Sequence, residues 1–221
     1  MTDHLEHLRA DADAVLRVLS GGPVDALVAA CPGWTVRELV EHLGSVHRWA
    51  TEVVRTGAPQ QEQAYDGADL SGWFAEGVSV LLETLAAADP ASACWSFTTD
   101  KTVGFWHRRQ ALETAVHRWD AEDAVGEAGS IDPSLAADGV TEGVELMTPR
   151  QLKLGRVDAV PGVSLQATDT GQEWLLGDGD PVGWVEASAQ DLLLLLWHRL
   201  DPADVQVTGD AAVVLRLPLA P

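Results

Sequence analysis

The chain has 221 residues, 46% of them hydrophobic, which fits one large domain or a moderate domain with a small second one and supplies ample material for a core. Its 14 Lys and Arg stand against 34 Asp and Glu, a formal net charge of -20. Such a surface repels phosphate backbones and anionic lipid, and no local basic patch interrupts it, so nucleic-acid and membrane partners are excluded and an anionic substrate would need an Arg of its own.

The amino terminus, MTDHLEHLRADAD, is charged and amphipathic, without the apolar stretch of a signal peptide. Leu5, Leu8, Ala12, Val15, Leu16 and Leu19 recur at helical spacing and predict a first helix over residues 3–19, ended by Gly21, Gly22 and Pro23. A short helical piece, VDALVAA, then leads to a turn at Cys31-Pro32-Gly33-Trp34. Thr35 and Glu38 form a T-x-x-E capping box, and Val36, Leu39, Val40, Leu43, Ala50 and Val54 continue as a long second helix. This helix carries His47 near the middle of its apolar stripe and His42 at the edge. Residues 57–67 read as a polar loop. Leu70, Phe74, Val78, Leu81, Leu82 and Leu85 mark a third amphipathic helix, closed by Asp89-Pro90.

The stretch with most chemistry is FWHRRQALETAVHRWD, residues 105–120, in a fourth helix expected from about Val103 to Val125. Arg109, Glu113, His117 and Asp120 share one helical face. A carboxylate and an imidazole one turn apart bring two ligand atoms to the same side at suitable reach for one divalent metal. The third ligand must come from another element. Four helices with connecting loops make a bundle, whose sites are built from inward-facing side chains of neighbouring helices, so helices two and four can share a metal. Either histidine of helix two is open as the third ligand, and periodicity makes His47 the buried one.

SIDPSLAADGVTEGVELMTPRQL reads as another capped helix, with Ser130, Asp132 and Pro133 at its start, and then the pattern changes. VSLQATDTGQEWLLG predicts a hairpin, VGWVEAS a strand, AQDLLLLLWHRL a buried helix and VQVTGDAAVVLRLPL a strand, turn and strand. The expected organisation is therefore mainly α: a four-helix bundle over residues 1–152 and a small α+β domain over 153–221. The LLLLLW run is far too short to span a bilayer. Cys31 and Cys94 form neither a disulfide framework nor a metal-binding pair by spacing, which points to buried structural thiols and a cytoplasmic home. The nine Trp are expected mostly in core packing.

PGWTVRELVEHL at 32–43, ETAVHRWD at 113–120 and DLLLLLWHR at 191–199, in that order, resemble the mycothiol-dependent maleylpyruvate isomerase family, a branch of the DinB-like metal-binding bundles. The resemblance covers nearly the whole chain. It implies a metal held by His42, Glu113 and His117, with His47 as second choice, and an Arg offered by the carboxy-terminal domain, here Arg199, to grip a carboxylate of the substrate or cofactor. Asp120, three residues after His117, is open to two roles, orienting that ring from behind or standing as a solvated Asp.

Two His and one Glu leave zinc an open position, the catalytic rather than the structural arrangement, and a thiol bound there is deprotonated. The resemblance names that thiol as mycothiol. It implies a zinc-dependent enzyme attacking a small electrophilic substrate, either by cis-trans isomerisation or by S-transfer; the sequence leaves monomer and small homo-oligomer both open. A metal-dependent hydrolase and a non-catalytic metal-binding module are the competing readings.

Overall fold

The computed structural model describes residues 3–220, which form two compact units, Asp3–Ser130 and 131–220. The amino-terminal unit holds four long helices: α1 (His4–Gly21), α2 (Val36–Thr56), α3 (Leu70–Ala87) and α4 (Val103–Ala124). Each opens on a side-chain cap that accepts from an otherwise unpaired backbone N–H: Asp3, Thr35, Asp69 and Thr102. At α2 the capping box is complete, with the Thr35 hydroxyl accepting from the Glu38 N–H and the Glu38 carboxylate accepting from the Thr35 N–H at 2.7 Å. The expected four-helix bundle is present, but residues 24–30 form turns and a single bridge between Leu27 and Thr35 rather than a helix.

The helices pack in the ring α1, α4, α2, α3, so both α1 to α2 and α3 to α4 are diagonal connections. Leu8, Val15, Leu39, Leu43, Phe74, Leu81, Leu85 and Leu112 are fully buried between them, each leucine contributing ~2 kcal/mol of burial. Gly44 lets the Trp73 ring of α3 lie directly against α2: a Cβ there would lie 2.2 Å from that ring. Because α2 and α4 are neighbours, His42, Glu113 and His117 face a common seam.

The second unit begins with α5 (Pro133–Glu142), capped by Asp132, which runs through a π-helical turn at Gly143–Met147 into α6 (Thr148–Lys153). The strands β1 (Val163–Ala167), β2 (Glu173–Leu176), β3 (Trp184–Ala187) and β4 (Gln206–Val207) form one sheet in the order β2-β1-β3-β4. The expected hairpin is β1 and β2, antiparallel with Val163 opposite Leu176, and β3 runs parallel to β1 with Val185 opposite Leu165. Val163, Leu165, Leu176 and Val185 turn one side of the sheet towards α7 (Ala189–Leu196), whose leucines 192–196 are all buried.

Two expectations change here. The units divide between Ser130 and Ile131 rather than at 152/153, because α5 packs on α7 and so belongs with the sheet. The last strand does not form: after the turn at Gly209, residues Ala211–Val214 make a short helix, α8, with Ala211 and Val214 buried. Among the described residues no helix is long and apolar enough to cross a membrane.

Candidate metal centre

In the seam between α2 and α4, a nitrogen of His42, a carboxylate oxygen of Glu113 and a nitrogen of His117 lie within 4.8 Å of one another. Glu113 Oε1 is the hub, 3.2 Å from His117 Nε2 and 3.8 Å from His42 Nε2. A tetrahedral ion with ligand bonds of 2.0–2.1 Å needs donors ~3.3 Å apart, so the set fits a single divalent ion, being of that size on the His117 side and slightly wide on the His42 side.

The α4 half is fixed from behind. The His117 ring hydrogen-bonds Asp120 Oδ2 through Nδ1 at 2.9 Å, which directs Nε2 towards Glu113. The other oxygen of Glu113 accepts from Arg109 one turn earlier on the same helix. Arg109, His117 and Asp120 are all buried. Burial works against the Glu113 carboxylate, but Arg109 and the hydrogen bonds from His117 and His42 hold its pKa well below the usual range. Burial likewise works against a charged His117, yet the carboxylates of Asp120 and Glu113 outweigh it and raise its pKa to about 9. The field at that ring favours positive charge, whether a proton or a metal cation.

The α2 half is held less firmly. His42 is about one third exposed, with its ring 5.1 Å from that of Trp34 and 5.6 Å from that of His117. Its Nδ1 lies 3.9 Å from Glu62 Oε1, in the loop between α2 and α3. A cavity of about 370 Å³ opens beside it, lined among others by Trp34, Glu41, Ser45, Glu62 and Tyr65.

His47 stands outside the group. Its fully buried ring pairs with Thr114 Oγ1 at 2.9 Å and packs on Phe74, and burial lowers its pKa to about 3, so it is a neutral core residue. Cys94 is buried, its thiol towards the Val53 carbonyl at 3.6 Å. Cys31, expected to be buried, is only half-buried, with its sulfur within 4.8 Å of ligand atoms of His117 and Asp120. In that group Asp120 is already the partner of His117 Nδ1, which makes it a support for the ring rather than a second centre. Trp106 is wholly buried and donates to the Trp95 carbonyl at 2.7 Å, in keeping with core packing. Arg199 belongs to the carboxy-terminal unit, just beyond α7, where its guanidinium donates to the Trp197 carbonyl at 2.7 Å. His198 before it holds the left-handed backbone, φ +58°, rare without glycine. Glu62 was not legible in the sequence, since a Glu in a Gln-rich loop carries no periodicity or motif.

The family model described as the Mycothiol maleylpyruvate isomerase N-terminal domain matches residues 5–122, and the MDMPI C-terminal domain matches 134–216. The chain belongs to the mycothiol maleylpyruvate isomerase family. Among solved structures, the crystal structure of the mycothiol-dependent maleylpyruvate isomerase matches over 99% of this chain and 95% of that chain, with 14% identity and a TM-score of 0.69. A histidine-to-alanine mutant of the mycothiol-dependent maleylpyruvate isomerase matches over the same shares, with 14% identity and a TM-score of 0.71. At that identity the likeness speaks for the fold. No curated protein matches the sequence significantly. The donor set described above lies wholly within the segment matched by the amino-terminal family model, and Arg199 within the carboxy-terminal one.

Proposed function

We propose that this member of the mycothiol maleylpyruvate isomerase family is a zinc-dependent enzyme that uses mycothiol to attack a small electrophilic substrate, by cis-trans isomerisation or S-transfer. The observation that carries the reading is the convergence of His42 Nε2, Glu113 Oε1 and His117 Nε2, three donors of the types and spacing that hold a catalytic ion. When bound, zinc supplies an open coordination position at which a thiol, with an ordinary pKa near ~8.5, is deprotonated at neutral pH.

The chain's own residues do the rest. Asp120 fixes the His117 ring with Nε2 towards the centre. Arg109 holds one oxygen of Glu113, leaving the other to the centre, and keeps that carboxylate ionised. The side chains of Trp34 and Tyr65 line the cavity beside His42, where the thiol and substrate would enter. Arg199 is proposed to grip a carboxylate of an anionic substrate or cofactor through its forked guanidinium, which an acidic surface would otherwise repel.

The test is metal analysis of the purified chain, followed by zinc-edge absorption with and without mycothiol and by turnover of maleylpyruvate. Near one zinc per chain, a sulfur ligand appearing only with mycothiol, and thiol-dependent turnover are expected. Turnover with metal but without thiol would replace this reading by a hydrolase, and metal uptake without turnover of any electrophile by a binding module.

A further inference from the structure

The two imidazoles of the candidate centre are supported unequally. His117 has a carboxylate behind it at hydrogen-bond distance, Asp120 at 2.9 Å. His42 has one in the corresponding place, behind Nδ1 while Nε2 faces Glu113, but Glu62 Oε1 is 3.9 Å away. That separation is about 1 Å beyond a charge-assisted hydrogen bond. The donor set is wide on this same side, with Glu113 3.8 Å from His42 against 3.2 Å from His117. The two gaps belong to one ring, and a small movement of that ring and of Glu62 closes both.

We propose that Glu62 is the positioning residue of His42: on metal binding it accepts the Nδ1–H of His42, completing a carboxylate–histidine–metal relay that mirrors Asp120 and His117, and draws its loop over the site. The inference rests on the metal reading above. A metal-bound imidazole donates its other N–H, and the acceptor fixes the ring and raises its basicity. Among the described residues, Glu62 is the carboxylate beside that nitrogen.

The loop is built to carry such a residue. On one side of Glu62 it is pinned to α2, where the Trp49 indole donates to the Gln60 carbonyl at 2.9 Å and Gln60 bonds Thr56. On the other side Tyr65 packs on Trp73 of α3, ring centres 4.7 Å apart. Glu62 itself is about half exposed, so its side chain has room to move towards His42. Coupling must run both ways: if closure of the loop strengthens the metal, the metal must order the loop by the same factor.

The experiment uses the full chain and zinc alone, with affinity read by competition against a chromophoric chelator. Glu62→Ala is expected to weaken zinc ~10- to 100-fold, the usual cost of losing such a partner. Glu62→Gln, which keeps an acceptor for Nδ1–H, should recover a large part of that loss. Asp66→Asn removes one charge from the same loop and should stay within about twofold, since an exposed charge without a contact to the site acts only through a screened field. In parallel, zinc should slow amide hydrogen exchange over residues 58–66 in the parent chain and not in Glu62→Ala. A loss under fivefold in Glu62→Ala, or an equal loss in Asp66→Asn, overturns the proposal. His42→Ala separates the two levels: if it releases zinc while Glu62→Ala does not, only the role of Glu62 falls, and if it keeps zinc, the metal reading falls with it.

Discussion

Helices α4 and α7 are both buried on nearly every side, and they fill that space in opposite ways. In α7 the buried residues are Ala189 and leucines 192–196, which need only neighbours of the right volume. In α4 they include Arg109, Gln110, Thr114, His117, Arg118 and Asp120. A buried charge costs several kcal/mol unless it is paired and hydrogen-bonded, so a helix that takes on this many must satisfy each one. Arg118 does so structurally, with Asp11, Glu122 and the Ser130 carbonyl as partners. The Arg109, Glu113, His117, Asp120 run pairs along its own helix and leaves two donor atoms facing α2. The polar interior of α4 thus splits into a clasp and a site.

That contrast can be broken most completely at the donors. Glu113→Gln and His117→Ala are each expected to abolish zinc uptake, measured by metal analysis of the purified variants, and zinc retained in both would leave α4 with a purely structural network. At the other pole, Leu193→Ala in α7 should lower stability by ~2–5 kcal/mol in denaturant unfolding while zinc stoichiometry stays as it was. Asp120→Asn, which weakens the support of one ligand without removing it, should cost ~10- to 100-fold in zinc affinity by chelator competition.

His47 sharpens the comparison from inside the bundle. Its pKa is near 3 when folded against 6.5 when free, so between those values only the unfolded chain takes up the proton and stability falls as pH falls. Above pH 6.5 neither state holds the proton and the effect vanishes. The unfolding free energy of the parent chain should therefore drop by roughly 1 kcal/mol more per pH unit over that window than that of His47→Gln. The smallest effect belongs to the surface: Thr35→Ala removes one cap of α2 and should cost ~1 kcal/mol in thermal unfolding with zinc affinity unchanged.

Much of the fold was legible where a local rule and the final environment agree. The capping box at Thr35 and Glu38 marked the start of α2, and the alternation around Thr170-Gly171 marked the β1–β2 hairpin. It failed where an apolar run is neutral between helix and strand. Ala211 to Val214 were expected as strand, but lie past the left-handed turn at Gly209 and close as one helical turn. VDALVAA failed for a related reason, since its backbone is taken up by the bridge to Thr35. At the site, periodicity correctly marked His47 as the buried histidine of α2, but burial is not what a ligand needs. His42 at the stripe's edge keeps a nitrogen on the seam beside Glu113 and His117, a position the helical pattern alone did not single out. Glu62 had no signal, because its position depends on how a loop folds back rather than on spacing along an element.

The ring order of the bundle carries a consequence for how the molecule assembles. His42 and Glu113 are separated by ~70 residues of chain, and closing a loop of that length costs conformational entropy that only later contacts repay. The donor triad therefore cannot exist in a partly folded chain whose diagonal α3–α4 connection has not brought α4 back against α2, and capture of an ion by all three residues reports that α2 and α4 have docked. An ion bound only by the docked state would in turn hold it together, adding RT ln(1 + [L]/Kd) to its stability, so that depletion of metal would lengthen the time the bundle spends open to proteases.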